Sequence, residues 1–406
     1  MRRAIALIVL LAAACRPALA PSLTQATWLI VAPHPDDETL IASGVIASAV
    51  QRGERVEVVV VTNGDYDCVA SGWIRQRESI DGMARLGLPE SAVHFLGYPD
   101  GALPNLGKTP LATRRVDANG TCALGERTYG LRGAPSSRGH GFTHENMVAD
   151  LAAAIAALRP TDIAVTHPMD THPDHATAYA LVRNALDRVE LARGPRIHRA
   201  LVHNDDCWPI GTALHEPCAV PVLATDEPMP PLTNRLAGYI PRERREVPVA
   251  MQVASRDTNP KLLAIAAHGT QTRGSPESYL FGFARKDEPF YPEDLEARGG
   301  RWVRIGRAGP SRRRRLRRSG GRLSVPEAAA YEVVVDGAKR EAACEKNGKV
   351  LQVWPLPFDL WSDGDGEEAF EIEVDARPED GAVVEISLRC RGELVGVAVD
   401  PHARER

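Results

Sequence analysis

Apolar residues in the first two-thirds of the chain follow two alternating patterns. Short continuous runs at Trp28–Val31, Val56–Val61, Val93–Leu96, Ile163–Thr166 and Ala200–His203 are mostly aliphatic and often β-branched, the composition of strands buried on both faces. Between them, Ile41–Arg52, Ile74–Leu86, Asn146–Leu158 and Ala176–Leu191 space their apolar residues at helical intervals. Such an alternation predicts an α/β fold, a Rossmann-like parallel sheet with helices on both faces. Ligands of sheets of this kind gather at the carboxyl ends of the strands, and that rule selects the loops to search.

The pattern changes near residue 300. From Gly306 to Ser324 the chain turns to Gly, Ser and Arg, with Arg312-Arg313-Arg314-Arg315-Leu316-Arg317-Arg318 at its centre, and reads as a solvated linker. Beyond it Tyr331–Val335, Val350–Trp354, Ala369–Val374, Val383–Leu388 and Leu394–Val399 are short alternating segments, which predict a small antiparallel β domain. A length of 406 residues exceeds what one core usually holds. The expected organisation is therefore an export signal over 1–20, a catalytic domain over 22–300, a Gly/Arg-rich linker over 301–324 and a β-rich domain over 325–406.

Composition then narrows compartment and partners. The formal net charge is -4, without the basic field that nucleic-acid binding requires. Met1-Arg2-Arg3, the apolar run Ala4–Ala14 and the small residues after it have the three-part layout of a secretory signal. Two exits compete: cleavage after Ala18-Leu19-Ala20, or lipidation of Cys15 behind Leu11-Ala12-Ala13-Ala14, which would anchor the chain to a membrane. Either makes the protein extracytoplasmic, that is secreted, periplasmic or lipoprotein-anchored. Setting Cys15 aside leaves Cys68, Cys122, Cys207, Cys218, Cys344 and Cys390, an even set for an oxidising compartment. Loop positions pair Cys68 with Cys122, closeness in sequence pairs Cys207 with Cys218, and the shared last domain pairs Cys344 with Cys390.

Two clusters carry chemistry. The first strand runs into His34-Pro35-Asp36-Asp37-Glu38, an imidazole beside adjacent carboxylates at the edge where a site belongs. His34 and Asp37, three apart on a turn entering a helix, can share a metal while Asp36 points elsewhere to accept a proton. Helix capping would explain one of these acids, but not the histidine and three acids together. After Ile163–Thr166, in the same topological position, stands His167-Pro168-Met169-Asp170-Thr171-His172-Pro173-Asp174-His175. His175 would complete two histidines and one carboxylate around a divalent ion such as Zn2+, with positions left open. Fe2+ sites of oxygenases use the same triad, so ligand type alone leaves both chemistries open.

Pro33–Glu38 and His172–His175 are similar to the A/P-H-P-D-D-E and H-P-D-H motifs of the LmbE/PIG-L-like family of zinc-dependent N-acetylglucosaminyl de-N-acetylases. Arg75-x-x-Glu78, Phe95–Gly101, and Lys261 leading to His268-Gly269-Thr270-Gln271 match weaker family features, and the resemblance covers roughly Thr27–Ala284. It implies metal ligation by His34, Asp37 and His175, with Asp36 as general base. It further implies that His172 stabilises the oxyanion or protonates the leaving amine, with Asp174 holding its ring, and that Arg75 and Asp100 contact substrate. An ion pair or loop cap explains Arg75 and Asp100 equally well, and His268 and Gln271 read as supports of the last helix. The expected substrate is an N-acetylated saccharide or glycoconjugate outside the cytoplasm. An insert over 103–141, bearing Arg114, Arg115, Arg127, Arg132 and Arg138, would form a cleft wall or remain a solvated loop.

Other classes lack their signatures. No G-x-S-x-G elbow supplies a serine nucleophile, and no glycine-rich phosphate loop follows the first strand. A glycan-binding protein with an idle site has no need of Asp36 as a base beside the metal. Metal analysis paired with an oxygen-consumption test separates the binding protein and the iron oxygenase from the hydrolase.

Overall fold

The computed structural model describes residues 26–107, 109–112, 122, 125–131, 139–204, 208–209, 236, 239, 241–272, 278–298, 301–304, 312–317, 321–324, 331–336, 339–356, 367–377 and 383–401. The export signal with Cys15, the residues Cys207 and Cys218, and Arg114, Arg115, Arg132 and Arg138 of the insert lie outside the described residues.

Five strands form the parallel part of the main sheet: β1 (Thr27–Ala32), β2 (Arg55–Thr62), β3 (Val93–Tyr98), β4 (Asp162–Thr166) and β5 (Arg196–Ala200), in the order β3-β2-β1-β4-β5. Their apolar runs are buried almost throughout, as a sheet covered on both sides demands. The helices are α1 (Asp37–Gln51), α2 (Val69–Arg85), α3 (His144–Leu158), α4 (Pro173–Leu186), α5 (Pro260–Ala267) and the single turn α6 (Gly269–Thr272). α1, α2 and α5 pack together, and α3 packs on α4. Right-handed crossovers put these two groups on opposite faces, because the chain steps outward from β1 to β3 and then returns through β4 to β5. The order therefore reverses between β1 and β4, which opens a crevice at their carboxyl ends.

The fifth strand ends at Ala200, so 201–203, expected within it, lie beyond the sheet at that same edge. β6 (Glu243–Glu246) and β7 (Asp287–Arg298) then extend the sheet, β7 antiparallel to β5 with β6 on its far side. Glu288 of β7 repairs an irregularity in α1. Ala42 leaves the helical range (φ -142°, ψ 15°), and the amides of Gly44 and Val45 donate to the Glu288 carboxylate at 2.7 and 3.0 Å. Lys261 of α5 neutralises that buried acid at 2.6 Å, as a charge out of water requires.

The stretch read as a linker is structured where it is described. β8 (Arg301–Arg304) pairs with β7, and the arginine run forms β9 (Arg312–Arg317). It lies antiparallel to β14 (Glu367–Arg377), whose Glu367, Glu368 and Glu371 stand opposite Arg317, Leu316 and Arg313 in register. An arginine-rich strand is well suited to a sheet edge, where charge discourages further pairing. The remaining strands are β10 (Gly321–Ser324), β11 (Tyr331–Asp336), β12 (Glu341–Lys346), β13 (Lys349–Pro355), β15 (Val383–Cys390) and β16 (Glu393–Asp400). Two antiparallel sheets, β10-β11-β12-β13 and β16-β15-β14-β9, share one core of Val333, Trp354, Phe370, Ile386, Leu388 and Ala398.

Cys344 and Cys390 belong to different sheets of this sandwich and are buried thiols rather than a bridge. Facing sheets lie about 10 Å apart, farther than a disulfide reaches between Cα atoms. The expected Cys68–Cys122 bridge is present, with Cα atoms 5.7 Å apart.

A candidate metal centre at the switch point

The carboxyl ends of β1 and β4 bring the two motifs face to face. The chain turns sharply at His34–Asp37, where the amides of Asp36 and Asp37 both donate to the His34 carbonyl. The Asp37 carboxylate folds back to accept the His34 amide at 2.9 Å. Across the crevice α4 starts at Pro173, with His172 as its N-cap and His175 in its first turn. Three donor atoms meet: His34 Nδ1 is 3.2 Å from Asp37 Oδ2 and 3.1 Å from His175 Nε2, and His175 Nε2 is 3.2 Å from Asp37 Oδ2.

This near-equilateral triangle fits a divalent ion. Four tetrahedral donors about 2.0–2.1 Å from zinc lie roughly 3.3 Å from one another, and two imidazoles with a carboxylate are an ordinary donor set. The electrostatics agree. Burial lowers the pKa of His175, but the charges of Asp37 and Asp170 outweigh it and push it up to about 10. Burial likewise opposes ionisation of Asp37, and His175 and His34 overcome it, holding the carboxyl well below its usual range. Positive charge is thus favoured where the donors converge.

Each donor is held from behind. Asp170 Oδ2 faces His175 Nδ1 at 3.4 Å and accepts the amides of Val202 and His203 at 2.8 and 3.0 Å, a carboxylate–histidine pair of the kind that orients metal ligands. His34 Nε2 lies 3.1 Å from Asp100 Oδ1 and 3.2 Å from Asp174 Oδ2. Asp174 also accepts the amides of Gly101 and Leu103 at 2.6 and 3.1 Å. Its carboxylate therefore orients His34 and the loop after β3, not the ring of His172 as expected. What His172 receives from Asp174 is the backbone N–H, on Nδ1 at 3.2 Å. A ring that accepts at Nδ1 carries its proton on Nε2 when neutral. Burial, then the neighbouring His34 and His175, bring the His172 pKa down to about 4.

Asp36 stands outside the triangle. It occupies the N-cap of α1, yet its side chain makes no capping bond; its Oδ2 takes the Arg75 guanidinium at 3.2 Å. Arg75 also reaches Asp100 Oδ2 at 3.4 Å and the Gly64 carbonyl at 3.2 Å. Gly64 has φ +65°, and a Cβ there would lie 2.7 Å from Arg75 Nε, so glycine is what lets the guanidinium pass. Arg75 and Asp100 are thus buried partners of Asp36 and His34. His268 bonds Thr39 at 3.0 Å, and Glu78 accepts from Thr270 at the start of α6, the supporting roles expected of that segment. Gln271 Nε2 reaches only the neighbouring Thr270 hydroxyl, at 3.1 Å.

Sequence reasoning gave no role to Asp170, His203 or Asp65. The ring of His203 lies 4.8 Å from that of His175 and 5.5 Å from that of His172. Its signal was available, since it follows the fifth strand at the carboxyl edge. Asp65, after β2, accepts the Asp100 amide at 3.0 Å and the Tyr129 hydroxyl at 2.7 Å. Tyr129 belongs to the described part of the insert, so this bond and the Cys68–Cys122 bridge tie the insert beside the site.

Fold and cluster together define an α/β protein with a candidate metal site, two histidines and one carboxylate, at its topological switch point. The model of the PIG-L family, described as GlcNAc-PI de-N-acetylase, matches residues 29–186, a span that holds every donor and every carboxylate behind it. That segment belongs to the PIG-L family of metal-dependent de-N-acetylases. A relative, the 1D-myo-inositol 2-acetamido-2-deoxy-alpha-D-glucopyranoside deacetylase of Mycolicibacterium vanbaalenii, is 26% identical over 274 residues, 64% of this chain and 85% of its own length. The enzyme of the same description from Mycolicibacterium gilvum is 29% identical over 169 residues, 39% of this chain and 54% of its own. Among solved structures, N,N'-diacetylchitobiose deacetylase from Pyrococcus horikoshii aligns with a TM-score of 0.42 at 16% identity, covering 67% of this chain and 85% of that one.

Proposed function

We propose that the protein is a zinc-dependent hydrolase that removes N-acetyl groups from an amino sugar within an extracytoplasmic glycan, glycolipid or glycoconjugate. The observation that carries this reading is the division of labour between neighbours: Asp37 joins the donor triangle, while Asp36 is kept out of it on Arg75. His34, Asp37 and His175 would hold the ion, which when bound polarises the acetamide carbonyl and makes water more acidic. Asp36 then takes the proton of the attacking water, as a positioned carboxylate does. Arg75 fixes its direction from one side. His172 presents a protonated Nε2, because Nδ1 is occupied by the Asp174 amide, and so donates a hydrogen bond to the developing oxyanion, while the proton that Asp36 has taken passes to the leaving amine. Arg75 and Asp100 set the orientation of Asp36 and His34.

The extracytoplasmic location is supported by the Cys68–Cys122 bridge, since disulfides persist in oxidising compartments. It favours polymeric or conjugated sugars over cytosolic metabolites. The test is acetate release from a panel of N-acetylated saccharides and glycoconjugates by zinc-loaded protein, with Asp36→Asn as control. Release that depends on Asp36 is expected. Its absence across the panel, with zinc bound, overturns the reading.

A further inference from the structure

The insert after β3 returns to the site at Tyr129, and from there a chain of hydrogen bonds runs to the metal ligands and the base. The Tyr129 hydroxyl donates to Asp65 Oδ2 at 2.7 Å, and Asp65 Oδ1 accepts the Asp100 amide at 3.0 Å. Asp100 then forks. Its Oδ1 stands 3.1 Å from His34 Nε2, and its Oδ2 takes Arg75 at 3.4 Å, whose other arm holds Asp36 at 3.2 Å. Asp65 is fully buried, so its carboxylate cannot replace a lost donor with water unless it moves. Any such movement shifts the backbone of Asp100.

Several contacts fix Tyr129 against α2, the helix that carries Arg75. Its ring lies 4.9 Å from that of Trp73. Gly72 makes room for the hydroxyl, since a Cβ there would lie 2.4 Å from it. Leu131 donates its amide at 2.9 Å to Gln76, the neighbour of Arg75, and Gln76 donates to Asn63 at 2.6 Å. The Cys68–Cys122 bridge fastens the insert to the N-cap of the same helix. A cross-link there limits how far Tyr129 can stray from α2.

We propose that Tyr129 is a positioning residue for Asp36 and His34, acting through Asp65 and Asp100, and that the Cys68–Cys122 bridge is its anchor. The insert is then part of the working site, neither a solvated loop nor only a wall beside it. Its effect on turnover rests on the deacetylase reading above; its effect on the metal ligand His34 does not.

The test uses full-length, zinc-loaded protein with methyl 2-acetamido-2-deoxy-glucopyranoside as substrate, and reads kcat, KM and zinc affinity by chelator competition. Tyr129→Phe keeps the ring against Trp73 and removes only the hydroxyl. A misplacement of about 1 Å costs about 100-fold in rate, so the smaller freedom given to Asp36 is expected to lower kcat about tenfold with KM unchanged. Zinc affinity should fall at least about threefold, less than the 10–100-fold that follows loss of a direct partner of a ligating histidine. Gly72→Ala crowds the same hydroxyl without altering the insert and should lower kcat likewise. A Cys68→Ser, Cys122→Ser double variant should resemble Tyr129→Phe, and joining the two should cost little more than either alone, because both break one connection. Undiminished kcat in folded Tyr129→Phe, a loss confined to KM, or losses that multiply when the variants are joined overturns the proposal. If the native protein releases no acetate, zinc affinity decides: weakened in Tyr129→Phe, it sustains the positioning role and the deacetylase reading fails; unchanged, both fail.

Discussion

Replacing Asp36 by Asn separates the base from the ligands more sharply than any other change. The side chain keeps its shape and loses its charge and its ability to take a proton. Positioned acid–base groups contribute about 10²–10⁴ in rate, so turnover is expected to fall by that factor, about 3–5 kcal/mol of barrier. Metal should stay, because the three donors lie 3.1–3.2 Å from one another without Asp36. Arg75 keeps Asp100 and the Gly64 carbonyl, so the site should not collapse. The assay is metal content by atomic emission after gel filtration, beside kcat and a thermal melt. His34→Ala, Asp37→Ala and His175→Ala should emerge without metal. If Asp36→Asn emptied the site while Asp37→Asn kept its ion, the two roles would be exchanged and the argument from the triangle would be wrong.

Asp170→Asn should weaken zinc affinity about 10–100-fold, the usual cost of losing the partner behind a ligating histidine, as read by chelator competition; unchanged affinity would remove Asp170 from the site. Gly97→Ala should destabilise the fold by about 2 kcal/mol or more, because φ is +85° and a Cβ would lie 2.3 Å from the Tyr129 carbonyl. Gly125→Ala, with φ +80° and open space around it, is the control and should melt closer to the native protein. His268, buried and brought down to about 4 chiefly by that burial, binds its proton more weakly folded than unfolded. Stability should therefore fall by about 3 kcal/mol as pH drops from 6.5 towards 4, and denaturant midpoints of His268→Gln should lose that slope. Cys344, its thiol pushed up to about 12 mainly by burial, should alkylate only on unfolding and without reductant, whereas Cys68 and Cys122 should need reduction first; a peptide joining Cys344 to Cys390 would contradict the sandwich.

The parallel half of the sheet was legible because its strands are continuous apolar runs with one environment on both faces. β7 was not, since Asp287–Arg298 carries two prolines and six charged residues. Two of its acids are buried, and partners from elsewhere meet them: Lys261 for Glu288, and Arg183 with Tyr179 for Glu293. β9 was hidden for a related reason. An arginine run is a solvated segment in isolation, and the strand that makes it an edge, Glu367–Arg377, lies some fifty residues further on. At the site, motif spacing identified residues that converge, yet it could not say which atom each carboxylate addresses. Asp174 was assigned to the nearer histidine in sequence, His172, and its carboxylate engages His34, 140 residues away.

That misassignment points to how the centre is kept rigid. Four carboxylates, those of Asp37, Asp100, Asp170 and Asp174, crowd two buried imidazoles, and left to themselves they would repel one another. Only Asp37 faces the donor triangle. Asp170 is committed to the amides of Val202, His203 and His172, Asp174 to those of Gly101 and Leu103, and Asp100 to Arg75. Backbone donors are fixed dipoles that need no reorganisation when charge moves. The loops after β3 and β5 therefore contribute main-chain donors to the site beside the side chains of Asp100 and His203.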